Sequence, residues 1–408
     1  MPCSLSCRSI SLAFLVVVAG ARVSTGEPPR GFSPLFDGKN LDAFKVSEKA
    51  REHWKVEGGE IRYDGKEADL WTKKSYKDFI LRVDWRFPGP GPRREVDVVL
   101  PSGDNAKDES GKPKKVEIQY GGDSGIYVRG SSKSQINIWN WPIGSGEVYG
   151  YRTDGSMPPE VRAGVTPKVR ADRPLGEWNS FTILMKGDRL SVDLNGVNVL
   201  AHARLPGVAA EGPLALQNHG DPVEFREIYI RELPGDLVDL LPEGGLGGWT
   251  AVGAAADTWS RRDGRLVCSG KPNGFIRTDK TFENYVLEAE YMFPGKGGST
   301  GILLHTQQPD KVWPASIEIQ IDHGLLGNFI KIGPVSFEGG KRAENREKPV
   351  GQWNHFEAVC RGDTIEFFAN GKKVSEGKKC HPAQGTIGFQ SEGVEVHLRN
   401  IWLTPLKN

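Results

Sequence analysis

Between Ile317 and Asp322 the sequence reads IEIQID, a strict alternation. Successive side chains of an extended strand point to opposite faces, so Glu318, Gln320 and Asp322 share one face and Ile317, Ile319 and Ile321 the other. Two carboxyls and an amide in a row could line a sugar groove, accept hydroxyl protons and act as acid or base. The plain alternative is a solvated outer face. Spacing restricts the chemistry: at about 3.3 Å per residue, Glu318 and Asp322 stand about 13 Å apart. Retaining glycosidases need their carboxyls about 5–5.5 Å apart and inverting ones about 6.5–9.5 Å. An ordinary glycosidase pair is therefore excluded on a regular strand, and the pattern favours either non-standard sugar chemistry or binding. His323 follows Asp322 directly, and His305 closes the apolar run Gly301–Leu304. With Glu318 they could share a proton or hold a divalent cation, but they lack tight ligand spacing, so no metal ligand set is assigned.

A second set lies in the N-terminal half. The stretch Gln135 to Trp141 (QINIWNW) carries amides and indoles where the C-terminal half has carboxyls. Asn137 could bind a sugar hydroxyl but is a poor base. Trp139 and Trp141 could stack on sugar faces or fill a core. His219 stands in LQNHG, where the C-terminal half has Ser391-Glu392-Gly393. Arg129 could reach a substrate oxygen or form a surface ion pair. Arg226 and Arg399 hold matched positions in the two halves, which points to a repeated structural pairing. Asp104, Asn105, Asp108 and Glu109 form an acidic turn without EF-hand spacing, expected to be merely solvated. The chain shows no nucleophile elbow, phosphate loop or dinucleotide fingerprint.

The elements that must position these residues occur twice. Leu35, Leu41, Phe44 and Trp54 recur as Leu240, Leu246, Trp249 and Trp259. The alternating strand Phe79, Leu81, Val83, Trp85, Phe87 recurs as Tyr285, Leu287, Ala289, Tyr291, Phe293, each with one buried face. Gly125-Ile126 matches Gly301-Ile302, and Gly176 to Asn179 matches Gly351 to Asn354. KGDRLSVDLNG matches RGDTIEFFANG. Asn195-Gly196 and Asn370-Gly371 are tight-hairpin dipeptides, because both turn residues need positive φ. The spacing places about 30 extra residues in the first half, at Gly89 to about Gly121, with the composition of an exposed excursion. The expectation is an all-β chain: two tandem jelly-roll β-sandwiches, at 31–233 and 234–408, without long amphipathic helices.

Composition agrees. With 408 residues, 38% apolar and 26% charged, the chain suits two folded domains, or three small ones. Lys plus Arg total 53 and Asp plus Glu 52, a balance that argues against phosphate-dependent nucleic-acid binding. The eleven Trp are expected to be mostly core. Residues 1–21 carry Arg8, the apolar run ISLAFLVVVA and Ala19-Gly20-Ala21, the pattern of a cleaved secretory signal. The run is too short for a transmembrane helix. No transmembrane span is expected after its removal, and a periplasmic or extracellular location is. Cys268, Cys360 and Cys380 would then remain, an odd number, so at most one internal disulfide forms. Cys360–Cys380 is the pair to test, with three buried thiols as the alternative.

Taken together these segments resemble the 3-keto-disaccharide hydrolase family. The residues that carry the likeness are Gly31-Phe32 with Leu35-Phe36-Asp37-Gly38, Asp123 to Arg129, Glu318 to Asp322, Gly176 to Asn179, Leu194 to Gly196, and Leu216 to Gly220 running on to Ile228. The likeness spans nearly the whole chain after residue 30, in two copies. It implies a concanavalin-like sandwich and exported work on glycosides already oxidised at C3. A C3 ketone acidifies the C2 proton, so a modest base can remove it and the C1 aglycone leaves; water then adds back. Such a site needs a base, an acid near the glycosidic oxygen, and a cation or metal for the enolate oxygen. On this basis the second domain, with Glu318 and Asp322, is the expected seat of chemistry. A non-catalytic tandem sugar-binding protein is the alternative.

Overall fold

The computed structural model describes residues 27–407; the signal expected at residues 1–21 lies outside them. The chain folds into two β-sandwiches, each a large sheet packed on a small one, with every pairing antiparallel. In the first, the large sheet runs in the order Val197–Arg204, Arg189–Leu194, Asn179–Lys186, Phe79–Arg86, Val223–Glu232, Glu60–Tyr63, Trp54–Glu57. Its small sheet is Leu70–Tyr76, Gly212–Leu216, Asp123–Val128, Ser131–Trp139. In the second, Tyr285–Met292 stands between Val396–Pro405 and Asn354–Arg361 in the large sheet. The small sheet there is Trp249–Val252, Gly274–Thr278, Thr386–Ser391, Ser299–Thr306, Ser316–Asp322, Phe329–Ile332.

The alternating strands place their apolar residues between the sheets. Phe79, Leu81, Val83 and Trp85 are buried in one core, and Tyr285, Leu287, Ala289 and Tyr291 in the other. Such burial is the main stabilising term for chains of this kind. Seven of the eleven tryptophans are buried, four of them (Trp54, Trp85, Trp249 and Trp259) in these cores. Both Asn-Gly hairpins have the expected positive φ, 54° and 83° at Asn195-Gly196 and 49° and 81° at Asn370-Gly371. The excursion in the first domain forms a hairpin of Arg93–Asp97 with Lys115–Gln119, outside both sandwiches. Its acidic turn is not merely solvated. Asp104 pairs with Arg162 at 2.6 Å, and Gly103 sits against the Arg162 carbonyl so closely that a Cβ would lie 2.8 Å from it.

The two domains meet through the outer faces of their large sheets. Arg399 Nη1 donates to Asp193 Oδ1 at 3.1 Å across the junction, and its Nε donates to Glu290 Oε2 at 2.9 Å. Arg231 forks onto Glu288 at 2.6 and 3.1 Å. These pairs wall an interdomain cleft of about 200 Å³. The matched arginines do repeat a structural pairing: Arg226 sits 4.0 Å over Trp178 beside Asp84, and Arg399 sits 4.1 Å over Trp353 beside Glu290. With the large sheets joined, the outer faces of the two small sheets look away from the junction, and each is one candidate groove. Cys268, Cys360 and Cys380 are free and buried. Among the described residues, no helix is long and apolar enough to cross a membrane.

Candidate functional site

Each groove is built on the outward positions of a small sheet. In the first domain, Ile126 and Val128 point into the core, so Asp123, Gly125 and Tyr127 point out. Register sets Gly125 opposite Asn137 and Tyr127 opposite Gln135. Gly125 is required by crowding, since a Cβ there would lie 2.7 Å from Gln135 Cγ and Nε2. Gln135 Nε2 donates to Gln217 Oε1 at 2.7 Å and to Asn137 Oδ1 at 2.8 Å, a closed amide cluster.

Beside that cluster lies a titratable group. Asp123 Oδ2 stands 3.8 Å from His219 Nδ1, with side-chain exposures of 16% and 56%. Asp221 supports the pair from behind: its Oδ2 accepts from the Asp123 backbone N–H at 3.0 Å and from the Tyr120 hydroxyl at 2.7 Å. Burial pushes the Asp123 carboxyl up to about 6; His219 pulls it down and Asp221 pushes it further up. Arg94, on the excursion hairpin, lies 3.9 Å over the Tyr120 ring and brings a guanidinium to the rim. Beneath the groove, Glu147 accepts from Arg152 Nε at 2.6 Å. Burial lifts the Glu147 carboxyl to about 7, against the pull of Arg152. Glu147 is fully buried, so it does not touch a substrate. The arrangement offers a carboxylate, an imidazole with one nitrogen free to face solvent, and a nearby cation. Those are the parts of proton transfer with charge stabilisation.

The second groove has the same frame and different chemistry. Gly301 faces Gln320, and Leu303 faces Glu318, so Glu318 takes the place of Gln135 and Gln390 that of Gln217. Ser299, Glu392, Val394 and Asn328 stand where the first domain has Asp123, His219, Asp221 and Glu147. The imidazole–carboxylate pair is thus absent from this groove. Glu318 is buried and has no cationic partner among the described residues; burial and the charge of Glu392 raise its carboxyl to about 7. Ser299 donates to Glu392 at 3.1 Å.

The structure divides the expected site residues between two grooves and a set of enclosed positions. Glu318, Gln320 and Asp322 do share the outer face of a regular strand, without a bulge opposite Ser299–Thr306, so the wide separation of the two carboxyls stands. His323 turns away to pair with Glu347 at 3.2 Å, and Glu347 also accepts from the Tyr291 hydroxyl. His219 lies in the other domain, so it forms no single site with Glu318. Four expected substrate contacts are corrected. Arg129 is buried, donating to the carbonyls of Ala209, Ala210 and Gly187 and to Asp78. His305 is fully buried, bonded through Nδ1 to the Pro382 carbonyl, and burial lowers its pKa to about 4. Asn137 is 1% exposed, its oxygen held by Gln135. Trp139 is enclosed too, stacked 4.2 Å from Trp141 with its Nε1 donating to the Gly144 carbonyl at 2.7 Å. Trp141 keeps partial exposure. Among the described residues no three His, Cys, Asp or Glu side chains converge on a metal position.

Sequence reasoning passed over Asp123, Asp221, Tyr120 and Glu147. Asp123 and Asp221 had one available signal: each copy-to-copy match swaps a carboxyl for Ser299 or Val394.

Comparison with known proteins places these features in a family. A "Putative glycosyl hydrolase" from Parabacteroides distasonis ATCC 8503 is 22% identical and covers 42% of this chain and 99% of its own, with TM-score 0.35. A second from the same organism, also named a glycosyl hydrolase, is 23% identical and covers 50% of this chain and 84% of its own, with TM-score 0.35. The carbohydrate-binding module CBM66 from Bacillus subtilis is 17% identical and covers 38% of this chain and 93% of its own, with TM-score 0.28. No curated protein matches the chain. The model of the 3-keto-alpha-glucoside-1,2-lyase-like domain matches residues 31–231 and again 236–404, so the chain is a carbohydrate-active protein of that family, with the domain present in two copies.

Proposed function

We propose that this protein is an exported enzyme that cleaves 3-keto glycosides by elimination followed by hydration, and that the first-domain groove does the chemistry. The observation that carries this reading is the Asp123–His219 pair at 3.8 Å, backed by Asp221 and Tyr120. His219, oriented by Asp123, removes the C2 proton. The electron pair of that C–H bond becomes the C1–C2 double bond as the C1–O bond breaks, the C3 enolate being the resting point between the two events. The departing oxygen takes a proton from the imidazolium, which resets the base. Water then adds across the double bond, its hydroxyl to C1 and its hydrogen to C2, to give the free 3-keto sugar. Arg94 at the rim supplies positive charge while the enolate oxygen is negative. Export is supported by the apolar run and small-residue site in residues 1–21.

The test is to incubate the mature protein with a 3-keto α-glucoside in deuterium oxide and follow the sugar by NMR and mass spectrometry. Aglycone release with deuterium appearing at C2 is expected. Release with no deuterium at C2 would contradict the elimination route.

A further inference from the structure

In the first domain the amide of Gln135 closes its cluster by donating to Gln217 Oε1. In the second domain a carboxyl, Glu318, replaces that amide. Gln390, 1% exposed, then keeps an oxygen, Oε1, that meets no donor among the described residues. Both oxygens are directed over Gly301: the position of a Cβ there is 2.3 Å from Gln390 Oε1 and 2.5 Å from Glu318 Oε1. The Gln390 amide N–H bonds to Glu318, so it is the Gln390 oxygen that is left as an acceptor without a donor. A buried acceptor without a donor is costly, so the arrangement asks for an O–H from outside.

The surroundings suit a sugar. Ile330 lies directly opposite Glu318 in the register and is 39% exposed. The Gln307–Ala315 connection, longer than its first-domain counterpart, presents Trp313 at 41% exposure and is pinned by Arg277 forking onto Asp310 at 2.8 Å twice. Aliphatic surface beside a buried hydroxyl acceptor is how a protein holds the C–H face and one O–H of a pyranose.

We infer that the second-domain groove is a separate binding site for a neutral, unoxidised glycoside, one hydroxyl of which is shared between Glu318 and Gln390. A ketone in that position has no proton to give, so the site discriminates against the oxidised sugar at the carbon it reads. The inference rests on the carbohydrate reading of the chain but not on which groove is catalytic.

The test is calorimetric titration of the full mature chain with methyl α-D-glucopyranoside and with its 3-keto derivative. The comparison is among wild type, Glu318→Gln and His219→Ala. Glu318→Gln rebuilds the closed amide cluster of the first domain, so it should fold normally, and circular dichroism and thermal melting check this. Binding of the unoxidised glucoside should weaken at least about tenfold in Glu318→Gln, the effect of losing a buried hydroxyl hydrogen bond, and stay unchanged in His219→Ala. Affinity unchanged in a folded Glu318→Gln, or lost only in His219→Ala, would overturn the inference. No affinity in the wild type would do so as well. Aglycone release lost in Glu318→Gln would instead make Glu318 catalytic, and would overturn the inference together with the first-domain assignment.

Discussion

Replacing Glu318 with Gln should stabilise the second domain, and by an amount that depends on pH. Burial is the first cause of the raised Glu318 carboxyl, from 4.5 to about 7, with Glu392 adding to it and Gln390 opposing it. Below pH 4.5 the carboxyl is protonated in folded and unfolded chains alike, and the residue takes nothing from stability. As pH climbs from 4.5 towards 7 the unfolded chain ionises first, so stability falls; above 7 the loss is complete. The gap between 4.5 and about 7 corresponds to about 3 kcal/mol. Glu318 is 7% exposed, so solvent screening does little to reduce this figure. Gln does not titrate and keeps the donor that Gln390 Oε1 lacks. The variant's lead over wild type should therefore be near zero at pH 4 and about 3 kcal/mol at pH 8. Calorimetric melts across that range, with the second-domain transition resolved, would show a lead opening to roughly 6–12 °C. A lead that is flat with pH, or that shrinks as pH rises, would refute the assignment of Glu318 as a buried acid.

Three further outcomes follow from the geometry. Aglycone release (as kcat/KM) should rise with pH through about 6 as Asp123 ionises, and Asp123→Asn should lower the rate and remove that limb of the profile. Arg399→Met should destabilise the chain by about 2–3 kcal/mol, because the half-buried Asp193 and Glu290 both lose their cation; Arg226→Met, at the matched and more exposed position, should lose about 1 kcal/mol or less in denaturant titrations. A thiol reagent should label none of Cys268, Cys360 and Cys380 in the native mature protein and all three after unfolding without reductant, whereas a disulfide would leave only one.

The fold was legible because its signals are local and repeated. Period-two strands, Asn-Gly turns and a constant offset specify two sandwiches with little ambiguity. The face shared by Glu318, Gln320 and Asp322 was equally readable, since pleat geometry alone sets it. The groove contents were not, because they come from distant segments: Tyr120 and Asp123 from one crossing, His219 and Asp221 from another about a hundred residues later. Glu147 becomes notable only through burial, which no local pattern reports. Arg129 and His305 looked like ligands because of their residue types. They hold matched places at the ends of matched strands, both with left-handed φ, 55° and 53°. Occupying the same place in both copies was the available sign of a structural role. The most informative comparison was internal: where two copies share a frame, the positions that differ in charge separate chemistry from scaffold.

The central claim is that proton transfer belongs to the first domain and not to the second. The direct measurement is the rate of aglycone release from a 3-keto α-glucoside by wild type, His219→Ala and Glu318→Gln, side by side. The account predicts a loss of about 100-fold or more in His219→Ala, the range for removing a general base, with Glu318→Gln retaining turnover. Turnover surviving in His219→Ala and vanishing in a folded Glu318→Gln would contradict it.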